Sequence, residues 1–429
     1  MEKMVNIPEK AGKKRVVIVG AGFGGLKLAG KLNPEYFDVI LLDKNNYHQF
    51  QPLFYQVAIA GLEPSSIAYP LRKNFQKKHH VHFRMCEVIG VFPENQSVET
   101  NEGSVDYDYL VIATGCDTNF FGNQSLKNTT ITLKSVSEAL YARNRILQSF
   151  EDAASTNNEE LLKKRLTFVI VGGGATGVEL AGALADMRNH ILPKDYPEID
   201  FSKMQIHLVD ASPRLLLAMS EEASVKATET LEDRGVKIYQ NVFVTSYEDG
   251  VVSISDGTRL VSDNVLWVAG IVGDKLSGFS QDSYTKSNRL IVNRYCEVKG
   301  FNDIFAIGDI AYMETEAYPK GHPQVAQGAL QMAVNLATNL ELKEFGHNPS
   351  PFKYVDKGSM ATIGRNAAVA DIIHFHFSGA PAWWLWLVVH LYTIMGIKNK
   401  LFIFLDWAWS YFTYDISLRL LIRPKTKMN

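Results

Sequence analysis

The chain has 429 residues, 46% of them hydrophobic and 21% charged, which excludes intrinsic disorder and calls for two or three domains. Lysines and arginines total 44 against 46 aspartates and glutamates, so no basic field marks a nucleic-acid binder. Cys86, Cys116 and Cys296 are scattered with no CxxC pair, which argues against a disulfide framework or a zinc site and fits a reducing compartment.

The first fifteen residues hold no apolar run, so a secretory signal is not expected, and Glu2 and Glu9 weigh against a mitochondrial transit peptide. The expected location is inside a cell. Residues 15–20, RVVIVG, read as a short buried parallel strand. Gly20-Ala21-Gly22-Phe23-Gly24-Gly25 follows as GxGxxG, then LKLAGKLN as a helix stopped at Asn33-Pro34, then the strand FDVILLD ending at Asp43. Gly20 permits the tight turn, Gly22 a close approach to a pyrophosphate, and Gly25 helix-on-strand packing. The helix N-terminus offers unpaired N–H groups to phosphate. Asp43 lies 18 residues after Gly25, near the spacing of a ribose-binding acid. His79, His80 and His82 follow Lys77-Lys78 with no acid or cysteine ligand set beside them, and read as a solvated face.

The pattern returns about 150 residues later. RLTFVIVGGGATGVELAGALADM repeats strand, glycine turn and helix, with Gly172, Gly174 and Gly177 in the three glycine positions. The second strand, MQIHLVD, ends at Asp210, 33 residues after Gly177; the excess is an insertion, HILPKDYPEIDFSK. A carboxylate at Asp210 accepts from ribose hydroxyls and repels a 2′-phosphate, which favours NADH over NADPH. Arg214 reads either as a partner of Asp210 or as a plain surface charge. Two dinucleotide units in one chain imply a fixed redox cofactor and a diffusing donor, for which FAD with a nicotinamide is the natural pair.

From Pro381 the composition changes. AWWLWLVVHLYTIMGI is sixteen residues long and nearly uncharged, short for a bilayer span of about 20 residues. The run from Leu401 to Ile422 is longer but carries Asp406, Asp415 and Arg419, which makes spanning costly. Helices lying in the membrane interface are expected. Trp383, Trp384, Trp386, Trp407 and Trp409, with Tyr392, Tyr411 and Tyr414, suit the headgroup depth. Lys398, Lys400, Arg419, Arg423, Lys425 and Lys427 favour anionic lipid. The same helices can also pair two protomers into a homodimer.

The order GxGxxG, YDYLVIATG (107–115), GGGATGVELAG and IFAIGDIA (304–311) resembles the two-dinucleotide-binding-domain flavoproteins. The segments NYHQFQPLFYQVA (46–58), AQGALQ (326–331) and the aromatic tail from Asn399 to Tyr411 are similar to the type II NADH:quinone oxidoreductases within that superfamily. The resemblance covers essentially the whole chain. It implies an α/β fold of two Rossmann-like dinucleotide-binding domains, for FAD and NADH, plus a C-terminal membrane-associating helical region. The expected boundaries are 1–120 and 301–380 for the FAD domain, 121–300 for the NADH domain and 381–429 for the tail.

The same resemblance implies hydride transfer from NADH to FAD and two electrons onward to a membrane quinone, menaquinone or ubiquinone, without proton pumping. It places the enzyme on the cytoplasmic face of a bacterial inner membrane. Thr114 and Gly115 return the chain to the FAD site, and Asp309 bonds the flavin ribitol. Lys44 joins Asp43, and Gly270 joins the second glycine loop, in the cofactor sets. Glu179 lies near the nicotinamide and flavin, orienting the ring or relaying a proton; by itself it reads as a dipole-stabilised helix N-terminal carboxylate. Gln327 and Gln331, at i and i+4 on one helix face, would point to the flavin and the quinone head. Lys357 is expected on a strand, and His48 and His322 receive no role. A sulfide:quinone oxidoreductase needs a cysteine pair at the flavin, and an NAD(P)H:ferredoxin-type reductase has no use for a greasy tail. They are the alternative readings.

Overall fold

Buried apolar runs such as VVIV (16–19) and FVIV (168–171) form the centres of two parallel sheets, where both faces of the strand are covered. A computed structural model describes residues 3–10, 12–373, 375–415 and 418–422. Glu2, Arg423, Lys425 and Lys427 lie outside the described residues. The chain divides into two units: residues 1–48, 69–117 and 271–356 form the first, and 49–68, 118–270 and 357–429 the second.

The first unit is built on a five-stranded parallel sheet in the order Ile304–Ala306, Tyr109–Ile112, Lys14–Val19, Phe37–Asp43, Val81–Met85. Its central strand is buried from Val16 to Val19. The first glycine-loop helix, Phe23–Lys31, packs on helix Ala326–Glu344.

The second unit repeats the design with Ile131–Thr132, Asn264–Trp267, Thr167–Val171, Gln205–Val209 and Val236–Tyr239, again all parallel. The second glycine-loop helix is Ala175–His190. It packs against strand Ser359–Gly364 of an antiparallel three-stranded sheet. Their approach is close because residue 182 is glycine: a Cβ there would lie 2.1 Å from the Ile363 carbonyl oxygen. The insertion before the second strand folds as the short helix Leu192–Asp195 and a 3-10 turn at Phe201–Lys203.

The units cut the chain differently from the expected boundaries. Residues 271–300 group with the first unit because strand Leu290–Ile291 pairs with Ala311–Tyr312. Residues 49–68 group with the second because helix Phe54–Ala58 packs on helix Val136–Ala154. Residues 357–380 supply the antiparallel sheet on which the tail rests. Lys357 itself precedes that sheet and is not on a strand.

The tail forms two helices, Gly379–Thr393 and Ile397–Thr413. Among the described residues no helix is long and apolar enough to cross a membrane.

Candidate active site

Each glycine loop is shaped by contacts that leave no room for a side chain. Gly20 has φ +101°, and a Cβ there would lie 2.4 Å from the Ala113 carbonyl oxygen. Gly172 has φ +118°, and its Cβ would lie 2.8 Å from the Ala269 nitrogen. At Gly25 and Gly177 a Cβ would sit 1.8 Å from the carbonyl oxygens of Gly20 and Gly172 respectively. At Gly22 and Gly174 it would meet nothing within 4 Å, so these two positions face open space where phosphate can approach.

The helices that follow begin at Gly22 and Gly174 with no side-chain cap, and so does helix Ala326–Glu344 at Val325. Helices Val136–Ala154 and Glu221–Asp233, by contrast, are capped by Ser135 and Ser220. Uncapped N-termini keep their N–H groups for an anion or a carbonyl. Gly24 is a packing residue, since its Cβ would press on Ile307 at 3.3 Å and on Ala329 at 3.6 Å.

The two acids are held alike. Asp43 accepts from the Ala21 and Asn45 N–H groups, both at 2.7 Å. Burial pushes its carboxyl above the usual range against these bonds. Asp210 accepts from the Gly173 N–H and, at 2.6 Å, from the Ser212 N–H. Each carboxylate therefore sits against its own glycine loop. Arg214 is neither a partner of Asp210 nor a loose charge: it donates to the carbonyls of Leu216, Leu217, Met219 and Ser220. Lys44 is exposed beside Asp43.

In the first unit, the Asp309 carbonyl accepts from Arg289 Nε at 2.9 Å, Gln324 Nε2 at 3.0 Å and the Cys116 thiol at 3.3 Å. This fixes the Gly308-Asp309 turn next to Thr114-Gly115, where Gly115 has φ +73°. Cys116 also accepts from Gln324, so its thiol serves the turn. Gly270 has φ +68°, and a Cβ there would meet the Phe121 ring at 2.7 Å. His48 is buried and bonds the Ala21 carbonyl at 3.1 Å. His322 is buried against Tyr318, Phe352 and Tyr354. His82 pairs with Asp38 at 3.1 Å.

The glutamine pair is divided. Both ends of the Gln331 amide are bonded to the Val355 backbone, each at 2.9 Å, so this side chain clamps residue 355 and its amide is committed. Gln327 lies one turn nearer the helix N-terminus and reaches Asp356 at 3.5 Å.

Glu179 is the outstanding group of the second unit. It is 7% exposed and lines a cavity of about 150 Å³ with Ala183 and Asp186, which are spaced i, i+4 and i+7 along one face of its helix. Thr362 donates its backbone N–H to Glu179 at 3.4 Å. Burial holds the Glu179 carboxyl well above the ordinary range, only partly offset by Thr362 and the nearby Trp386 indole. Asp186 is also raised by burial, against the pull of Arg234, its ion-pair partner. Tyr55 and Gln56 form one wall of the cavity, and Trp383, Trp386, Trp407, Tyr411 and Tyr414 roof it.

That roof corrects the expectation that all the tail aromatics sit at headgroup depth. Trp386 is 1% exposed and stacks on His390 with centroids 3.9 Å apart; Trp383 stacks on Tyr411 at 5.5 Å. The outer face carries Trp384, Tyr392, Ile397, Phe402, Trp409 and Phe412 instead. Arg419 is not free for lipid either, since it pairs with Asp195 and Asp415.

Sequence reasoning passed over Tyr55, Gln56 and Thr362. The first two lie inside the quoted FQPLFYQVA motif, but nothing in their spacing ties them to Glu179, more than 120 positions away.

Comparison with known proteins agrees along the chain. Residues 14–333 match the family model for pyridine nucleotide-disulphide oxidoreductases, and residues 357–413 match the NDH2 C-terminal domain. The chain is 36% identical to the type II NADH:quinone oxidoreductase Ndh of Mycobacterium tuberculosis, over 92% of this chain and 88% of that protein. It is 29% identical to the Staphylococcus aureus type II NADH:quinone oxidoreductase, over 86% and 92%. Among solved structures, Plasmodium falciparum NDH2 in complex with NADH superposes with a TM-score of 0.88 at 22% identity, covering 96% of this chain and all of that one. The Aquifex aeolicus sulfide:quinone oxidoreductase superposes at 0.73 with 19% identity, covering 93% and 95%.

Proposed function

The chain belongs to the pyridine nucleotide-disulphide oxidoreductases and, within them, to the type II NADH:quinone oxidoreductases, and from that premise we infer how its residues divide the reaction. It is an FAD enzyme that takes electrons from NADH and gives them to a quinone. Sulfide:quinone oxidoreductase is a more distant structural neighbour.

The first unit fits FAD. The open cradle at Gly22 and the uncapped helix Phe23–Lys31 suit a pyrophosphate, and Asp43 suits a ribose. The pinned turn at Asp309, with Thr114 and Gly115, suits the ribitol. The uncapped N-terminus at Val325–Gln327 suits the flavin carbonyl edge. The second unit fits NADH in the same way through Gly172, Gly174, Gly177, Asp210 and Gly270. When bound, FAD supplies a two-electron centre that accepts hydride from the nicotinamide and can pass the electrons on. The protein's own contributions are positioning, exclusion of water and custody of a proton.

Glu179 takes the last of these. Two-electron reduction of a quinone to a quinol also consumes two protons, and hydride brings only one. A carboxyl kept neutral by burial can donate a proton, and water can restore it afterwards. The single observation that carries this reading is Glu179 buried at the floor of a cavity roofed by the tail helices, where removal from water favours the neutral carboxyl. A cavity of that size accommodates one six-membered ring, which fits a quinone head. Gln331 supports residue 355, and Gln327 is the member of the pair assigned to the bound ligand. The test is anaerobic: NADH should bleach the flavin absorbance and a short-chain quinone should restore it. Failure of the second step would remove quinone as acceptor.

NADPH should be at least about tenfold poorer than NADH in kcat/KM. The Asp210 carboxylate repels the extra phosphate, and Arg214, spent on four carbonyls, cannot receive it. Steady-state kinetics with both donors decides this, and equal efficiency would refute the assignment of Asp210.

The outer face of the tail helices is assigned to the membrane surface, since it exposes Ile397 (87%), Phe412 (81%) and Tyr392 (80%). Deleting the tail is a poor test because it also strips the cavity roof. Ile397→Glu with Phe412→Glu should cut liposome binding by more than about 100-fold, at about 2 kcal/mol lost per side chain, and leave turnover with a water-soluble quinone near wild type. Flotation with liposomes reads the first effect, and unchanged flotation would leave the face to a second copy of the chain.

A further inference from the structure

A series of hydrogen bonds within the second unit links the second tail helix to Glu179, meeting Thr362 at its hydroxyl and leaving it from its backbone N–H. Trp407 Nε1 donates to Gln56 Oε1 at 2.7 Å. Gln56 Nε2 donates to the Tyr55 hydroxyl at 2.9 Å. Tyr55 Oη and Thr362 Oγ1 are 3.0 Å apart, and the Thr362 backbone N–H donates to Glu179. The members come from four separate stretches of sequence, and Tyr55, Thr362 and Glu179 are buried.

The direction of this set is dictated by its outer end. An indole N–H can only donate, so Gln56 must turn its carbonyl to Trp407 and its NH₂ to Tyr55. The Tyr55 oxygen then accepts, which sends its own proton to Thr362. Reversal of the Gln56 amide would set two donors against each other at Trp407 and leave buried groups unsatisfied. Burial pushes the Tyr55 hydroxyl far above its ordinary pKa, so Tyr55 holds its proton and keeps its place in the set.

We propose that Trp407, through Gln56, Tyr55 and Thr362, is a positioning residue for the Glu179 carboxyl. The second tail helix, Ile397–Thr413, thereby fixes the group that holds the proton. The inference rests on the role given to Glu179 above and adds to it a dependence on how the tail is seated.

The variants are Trp407→Phe and Tyr55→Phe, which keep an aromatic ring at each position and remove the bonds. Gln56→Met is the reserve should either fail to fold. Each is made alone and with Glu179→Gln in the full-length holoenzyme. In the otherwise wild-type protein each should lower kcat for a water-soluble quinone about three- to tenfold, leave the KM for NADH unchanged and leave the rate of flavin bleaching by NADH unchanged. In the Glu179→Gln background the same changes should have no further effect beyond about twofold. Hydrogen exchange supplies a readout independent of turnover: the Thr362 amide should exchange faster in both variants while that of Ala361 does not.

Equal losses in both backgrounds, or unaltered protection at Thr362, would overturn the proposal. If Glu179→Gln alone were as fast as wild type, the role of Glu179 itself would fall. If Glu179→Gln were slow and Trp407→Phe fast, only the positioning by the tail would.

Discussion

Glu179→Gln should slow reoxidation of the reduced flavin by quinone about 100-fold, the usual scale for a lost proton donor, while making the protein harder to melt at alkaline pH. The two effects share one cause. Burial raises the folded-state pKa of this carboxyl, so the folded protein favours its neutral form. The stability it contributes is whole below the unfolded value near 4.5 and declines as pH rises toward and through the folded value. Glutamine has the same shape and never ionises. The melting temperature of the variant should therefore exceed that of the parent at pH 8, and the gap should shrink toward pH 4. Stopped-flow absorbance with separate NADH and quinone mixes reads the rate, and calorimetry across pH reads the stability. A slowdown confined to flavin bleaching by NADH would make Glu179 a nicotinamide-orienting group and would remove it from proton transfer.

The second large effect is expected at Gly174. Its added Cβ would touch no protein atom within 4 Å, and it opens a helix whose N–H groups carry no side-chain cap. Gly174→Ala should fold normally and hold its flavin. The methyl group would occupy the approach of the NADH pyrophosphate, raising the NADH KM about 100-fold, or about 2.7 kcal/mol. Flavin reduced chemically with dithionite should still be reoxidised by quinone at the parental rate, because that step does not use the second glycine loop. Gly172→Ala is the contrasting case. With φ at +118° and a backbone atom 2.8 Å from the new Cβ, it should lower the melting temperature as well as NADH use. If Gly174→Ala bound NADH as the parent does, the second glycine loop would not be the NADH cradle.

What could be read from sequence was local. A buried strand, a glycine turn and a helix are set by residues within about 30 positions of one another, so both Rossmann units stood out, down to the strand ending at Asp43. The duplication announced two dinucleotides, and the nearly uncharged run of residues 382–397 announced an unusual surface. Each of these is a one-dimensional pattern, because backbone dihedrals and side-chain period follow from neighbours in the chain. Gln327 and Gln331 show the limit: their spacing puts them on one helix face, but only the fold reveals that Gln331 is already spent on the Val355 backbone.

The tertiary structure alone decided which tail aromatics turn inward, that Arg419 is paired with Asp195, and that Tyr55, Gln56, Thr362 and Trp407 converge on Glu179. Such contacts join residues hundreds of positions apart, and no local periodicity encodes them. The raised pKa of Glu179 belongs to the same class. Its cause is removal from water, which no residue near it in the chain brings about, and which depends on strand Ser359–Gly364 and the tail helices closing over it.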